Sequence, residues 1–153
     1  MGQEHHYATT LEWTGDTGAG YKAYDRTHTV RIANKPELIT TSDPAFLGDP
    51  TKHNPEDLLV AALSSCHLLT YLALCARARI VVTAYRDNAT GTMASTPDGG
   101  GHFTEVVLHP EVTVSEEGML EKARHLHAAA HKYCFIANSV NFPVRHEPVV
   151  RVG

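Results

Sequence analysis

The sequence predicts an α+β fold. Strand-like runs fill the first forty positions and return after position 80. An apolar stretch, Leu58–Cys75, begins directly behind a helix-start signal, and a second helical pattern follows Ser115. The resulting order is strands, helix, strand pair, helix, strand, with the helices segregated from the strand runs.

The elements follow in chain order. His5–Trp13 and Tyr21–Ile32 read as strands separated by TGDTGAG, whose glycines permit a hairpin turn. Glu37–Thr41 adds a short third strand. The segment 42–55, SDPAFLGDPTKHNP, is rich in Asp, Pro and Gly and reads as a loop. Asn54 is a good N-cap, Pro55 suits the first helical position, and Glu56 and Asp57 favour the positive end of the helix dipole. From Leu58 to Cys75 apolar residues occupy nearly every face, so a helix buried all round is expected. Ile80–Met93 and His102–Val114 read as two strands joined through STPDGGG. Ser115 should cap a second helix, with Glu116 and Glu117 in its first turn and Met119, Leu120, Ala123, Leu126 and Ala130 on its apolar face. That helix should end near Lys132. A short helical turn over Ile136–Val140 and a strand over Glu147–Val152 complete the chain. No repeat and no long linker divides it, which predicts a single domain over residues 1–153.

The composition narrows the function classes. Of 153 residues, 42% are hydrophobic and 20% charged, ordinary for a soluble globular protein. The formal charge is −4, with 17 acidic and 13 basic side chains and no block of either sign, so neither nucleic acid nor an anionic membrane is an expected partner. The start MGQEHHYATTLEW lacks a basic region followed by an apolar one, so it does not read as a secretory signal. Leu58–Ala76 is interrupted by Ser64, Ser65, His67 and Thr70 and tightly flanked by Asp57 and Arg77, which fits a core helix better than a membrane span. A cytoplasmic location is the expectation.

Three cysteines, Cys66, Cys75 and Cys134, are widely spaced and include no CxxC pair. A secreted disulfide framework and a structural zinc site are both improbable on that spacing. Cys66 is the unusual one: it sits mid-helix behind Ser64 and Ser65. Buried cysteine often packs as a small hydrophobe, and that reading suits Cys75 best. Nine helical residues turn through ~900°, so Cys75 faces away from Cys66 and lies ~13 Å along the axis from it. Cys134 is the only intrachain partner left. A reactive Cys66 needs its thiolate stabilised, and His67 is a poor ion-pair partner because helix neighbours point ~100° apart. A cysteine hydrolase using Cys66 and His67 fails on the same angle. The required cation is therefore expected from elsewhere in the chain or from another subunit. Among eleven histidines, His127 and His131 are spaced to reach one metal ion, but no glutamate follows the first as a metalloprotease motif requires.

NPEDLLVAALSSCHLLTYLALCA, residues 54–76, resembles the helix motif of the OsmC/Ohr family of hydroperoxide reductases, in which an Asn-Pro-Glu start precedes the peroxidatic cysteine with the spacing of Glu56 and Cys66. HKYCFIANSVNFPV, residues 131–144, resembles the family's second cysteine motif, except that Phe135 stands where a proline often follows. The resemblance spans almost the whole chain. It implies antiparallel sheets around two main helices, with the central one carrying Cys66, and an intertwined homodimer with sites at the interface. It further implies that Cys66 attacks an organic hydroperoxide as a thiolate, that Cys134 resolves the sulfenic acid as a disulfide, and that an external thiol or dithiol restores both, with no bound cofactor. Family members use an arginine from an N-terminal strand to stabilise the thiolate. Arg26 is the best match, with Arg31 as the fallback, and Glu56 would hold that arginine. Ten helical residues put Glu56 ~15 Å from Cys66, so Glu56 would serve a partner's cysteine unless the helix breaks. The apolar loop residue Phe46 also favours a dimer. The alternative is a non-enzymatic stress-related or metal-binding module with unreactive cysteines.

Overall fold

The computed structural model describes residues 2–153, and its contacts gather into two compact units, one extending to Leu58 and one from Leu59 to Gly153.

In the first unit β1 (Thr10–Glu12), β2 (His28–Arg31) and β3 (Leu38–Thr40) form an antiparallel sheet in that order. The strands are shorter than the sequence suggests, and no tight hairpin joins the first two. Residues 13–27 leave the sheet because local side-chain bonds hold them elsewhere. The Trp13 indole donates to the Asp25 carbonyl at 2.8 Å, and the Asp16 carboxylate accepts from the Gly18 amide at 2.7 Å. Such Asx contacts compete with ladder hydrogen bonds. After β3, Asp43 accepts from the Ala45 amide and caps a 3-10 turn, Pro44–Phe46. Gly48 is obligatory in this loop, since a Cβ there would lie 1.5 Å from the Ser42 carbonyl oxygen.

Helix α1 (Pro55–Arg77) starts as its sequence demands, with the Asn54 side chain accepting from the Asp57 amide at 2.9 Å. Asn54→Ala should cost about 1 kcal/mol, readable as a lower urea midpoint with an unchanged denaturant slope.

The second unit is built on bent strands. β4 (Val82–Asp87) and β5 (Thr90–Ser95) were expected as one strand, as were β6 (Gly101–Leu108) and β7 (Pro110–Val114). Each pair belongs to two sheets, ordered β4-β7-β9 and β5-β6-β8. The break falls at one level in both. Asp87 accepts from the His109 amide at 2.6 Å, His109 Nδ1 contacts the Asn88 carbonyl at 3.0 Å, and Pro110 has no amide to offer a ladder. The C-terminal segment bends likewise, giving β8 (Val144–His146), which the sequence did not signal, and β9 (Val149–Val152). These two join β6 and β7 in parallel, while β4–β7 and β5–β6 are antiparallel. Helix α2 runs from Leu120 to Tyr133. Ser115 does not cap it. A 3-10 turn over Glu117–Met119 intervenes, and the Ser115 hydroxyl turns to the Met119 sulfur at 3.8 Å.

Helix α1 meets the length and hydropathy of a membrane span. It is not buried all round, however. Leu63, His67, Tyr71 and Cys75, four apart, form its buried line. Leu63 joins a cluster with Val106, Leu108 and Val144. Tyr71 and Cys75 join another with Ile80, Val112, Val114, Ala123, Ala130 and Val150. His67 falls between the two clusters on that line. Leu69 and Leu72 of the same helix are exposed, at 64% and 37%.

Candidate thiol site

Cys66 projects from α1, where the Thr70 hydroxyl donates to its carbonyl at 2.9 Å. Cys134 ends α2 in extended conformation. Its placement is set by Asn138, whose side-chain amide donates to the Lys132 and Cys134 carbonyls at 2.9 and 3.0 Å, and whose backbone amide donates to the Cys134 carbonyl at 3.0 Å. These donors satisfy carbonyls that a helix end would leave unpaired. The Ala137 amide reaches the Cys134 sulfur at 3.5 Å.

Sixty-eight positions apart in sequence, the two thiols lie near enough for each to shift the other's acidity, and no disulfide joins them. Their acidities are driven apart. Burial works upward on Cys66, but the neighbouring Cys134 thiol and the Ile136 and Phe135 amides, with a smaller share from the nearby Thr70 side chain, outweigh it and leave the thiol below its ordinary value. Burial pushes Cys134 up to about 11, reinforced by the neighbouring Cys66 and only partly offset by the Ala137 and Ile136 amides. Cys66 is partly exposed, whereas Cys134 is 1% exposed. The accessible sulfur is thus the more acidic one. The groups that lower it are neutral donors, where the sequence led us to expect a cation. Thr70, four residues on from Cys66, was legible as a neighbour on its helix face; the two amides were not. Cys75 is buried in the core beside Tyr71, and burial pushes its thiol up.

Arg26 occupies an aromatic setting in the first unit. Its guanidinium donates to the Tyr24 carbonyl at 2.8 Å and to the Tyr21 carbonyl, and it lies 3.9 Å over the Tyr24 ring and 4.8 Å over that of Tyr21. It lines a cavity of about 370 Å³ with Trp13, Tyr24, His28 and Pro55. Arg31 is committed elsewhere, paired with Glu12 at 2.7 Å and Glu37 at 2.9 Å. Among the described residues Arg26 and Glu56 form no ion pair, and the buried Glu56 Oε2 has no hydrogen-bond partner.

His127 and His131 do not form an open metal pair. His127 Nδ1 is bonded to His67 Nε2 at 3.0 Å, and among the described residues no group of three or more His, Cys, Asp or Glu side chains is arranged to hold a metal ion.

Two mixed sheets with two helices, and two neighbouring thiols, one on α1 and one directly after α2, define an α+β dithiol protein. The family model described as OsmC-like protein matches residues 48–148, and the chain belongs to that family. A structure of an OsmC-like protein of unknown function from Vibrio cholerae is similar over 95% of this chain and 100% of its own, with 31% identity and a TM-score of 0.85. An organic hydroperoxide resistance protein from Elizabethkingia anophelis shares the fold at 20% identity and a TM-score of 0.72, covering 100% of both chains. One from Legionella pneumophila does so at 20% identity and 0.70, covering 98% of this chain and 99% of its own. No curated protein matches the sequence.

Proposed function

We propose that this protein is a thiol-dependent peroxidase that reduces organic hydroperoxides to alcohols, with residues 1–153 acting as one OsmC-like domain. The observation that carries the reading is the pairing of a partly exposed, acidified Cys66 with a neighbouring Cys134 that is buried and less acidic. A thiolate attacks one peroxide oxygen, the O–O bond breaks, an alcohol leaves, and Cys66 becomes a sulfenic acid. The Cys134 sulfur then displaces water from it and forms the disulfide. An external thiol or dithiol supplies two electrons and two protons to restore both thiols, a demand that a reducing cytoplasm meets. The cycle needs no bound cofactor. Fold likeness to proteins described as organic hydroperoxide resistance proteins supports the same reading.

The exposed Leu69 and Leu72, three residues apart on α1, and separately the exposed Phe46 and Leu47 in the loop support a homodimer, because exposed apolar patches mark interaction sites. In that assembly Arg26 would orient the peroxide and Glu56 would hold Arg26. The guanidinium has five N–H donors, and the Glu56 oxygen is an unfilled acceptor. Arg26→Ala should raise the apparent thiol pKa of Cys66 by about one unit, measured by the pH dependence of alkylation. An unchanged profile would leave the neutral donors as the whole cause of its acidity.

The direct test adds cumene hydroperoxide to reduced protein and follows thiol loss. Rapid formation of a Cys66–Cys134 disulfide with one equivalent of cumyl alcohol is expected. Thiols that persist would mean a non-enzymatic module with inert cysteines.

A further inference from the structure

Helix α1 carries Cys66, Cys134 directly follows helix α2, and two polar contacts tie the helices together. His67 Nε2 meets His127 Nδ1 at 3.0 Å, and the Tyr71 hydroxyl donates to the Ala123 carbonyl at 2.8 Å. Moving four residues forward on α1 corresponds to moving four back on α2, so the helices are antiparallel at this junction. The two imidazoles lie nearly coplanar, 5° apart with centroids 5.3 Å apart, which is the geometry of an in-plane N–H···N bond. Tyr71 stacks on His127 at 3.9 Å. Both rings are sealed from solvent, at 1% and 0% exposure, and His127 Nε2 has no partner among the described residues. A bare lone pair is the cheaper orphan, so His127 Nδ1–H donates to His67 Nε2.

The pair lies close to both thiols along the chain. Cys66 directly precedes His67, and Cys134 follows His127 by seven residues, ~10 Å of helix. We propose that the His67–His127 hydrogen bond is a positioning strut that fixes the register of α1 against α2 and so sets the reach between Cys66 and Cys134. A buried polar contact suits this task because it has one satisfactory register, whereas apolar contacts tolerate sliding. The strut works only while the pair is neutral. His146 of β8, 5.8 Å from the His67 ring, and His131 of α2, 5.7 Å from the His146 ring, add no negative charge. Tyr71 and Cys75 of α1 and Tyr85 of β4 are held protonated by burial. The carboxylate facing His67 is Asp87 of β4, already engaged by the Ser64 hydroxyl and the His109 amide.

This inference rests on the thiol pairing in the proposed function but not on peroxide chemistry, so its test uses glutathione. The Cys66 and Cys134 thiols form a disulfide, giving up two electrons and two protons. One glutathione disulfide bond breaks to give two glutathione thiols. In a glutathione redox buffer at pH 7.5, His127→Leu should weaken the Cys66–Cys134 disulfide about three- to tenfold, the worth of one net hydrogen bond. The double variant His67→Gln/His127→Asn keeps polar atoms near both bonded nitrogens and should restore the wild-type equilibrium. As the pH falls from 7.5 to 5, disulfide formation in wild type should keep a constant rate relative to the double variant, whose amides do not titrate, because the buried pair is still neutral there. On unmodified reduced protein, histidine ring NMR should show both rings neutral at pH 6, with one shared proton. A His127→Leu equilibrium equal to wild type, a rate ratio that changes between pH 7.5 and 5, or either ring titrating at its ordinary value would overturn the assignment. If the strut behaves as expected while peroxide is not consumed, the proposed function fails alone.

Discussion

Replacing Cys66 with serine is expected to cut hydroperoxide consumption to the buffer background, and replacing Cys134 with serine to leave a single turnover. The two outcomes differ because the two sulfurs have different tasks. A serine hydroxyl stays protonated at neutral pH, and the site offers no base to activate it: its donors are the Thr70 hydroxyl and the amides of Phe135 and Ile136. Nothing then attacks the O–O bond. In Cys134→Ser the first attack still occurs, since Cys66 keeps those donors and its exposure. The sulfenic acid has no second sulfur to condense with, and a second equivalent of peroxide carries it to the sulfinic acid, which thiols do not reverse. Mass spectrometry after stepwise peroxide addition reads these states directly, as one added oxygen and then two. Normal multiple turnover by Cys134→Ser with a dithiol would remove Cys134 from the mechanism. Cys75→Ser is the matched control. Its sulfur packs in the core against Tyr71, with burial holding the thiol protonated, so the change should lower stability and leave the rate intact.

The sequence showed the parts of this fold that local chemistry dictates. Asn54, Pro55 and the acidic first turn start α1 where the structure starts it, because a cap is a contact between near neighbours. The hairpin around STPDGGG appears as β5 and β6 for the same reason. Bends were not visible. Whether Asp87–Thr90 continues a strand depends on Asp87 receiving the amide of His109, twenty-two residues away, and no pattern in either segment reports that bond. The all-round burial expected of α1 reflects a limit of another kind. Apolar residues on Leu69 and Leu72 declare that the face will be covered, not whether the chain's own elements cover it. At the thiol site the two cysteines could be named, since nucleophilic side chains stand out in sequence. The backbone amides of Phe135 and Ile136 could not, because every residue but proline carries an N–H and only the turn after α2 aims these two. His67 illustrates the same gap. It was dismissed as a partner for Cys66 on angular grounds, and that same angle turns it toward His127 instead.

Acidification from about pH 6.5 toward 4 should remove a large part of the folding free energy, and the His67–His127 pair is the reason. An unfolded chain protonates histidine near 6.5. In the folded protein burial is the main force that pushes His67 down to about 4, helped by His146 and His131 and opposed by Asp87. Burial likewise pushes His127 down to about 3, with His67 and His146 adding to it. Above 6.5 both states are neutral at these rings, and they give stability no pH dependence. Below 6.5 the unfolded chain binds protons that the folded one refuses, so stability falls with pH until the folded values are reached. One unit of separation corresponds to 1.36 kcal/mol, which makes the loss on the order of 3 kcal/mol for one ring. The rings share a hydrogen bond, so their contributions do not add. Against a typical total of 5–15 kcal/mol, that is enough to move the urea midpoint visibly between pH 7 and 4.5. His67→Gln/His127→Asn should flatten this part of the profile, because amides have no proton to gain. Equal slopes for wild type and double variant would mean that the folded protein accepts the protons, which a dry junction with its one facing carboxylate already engaged could do only by opening.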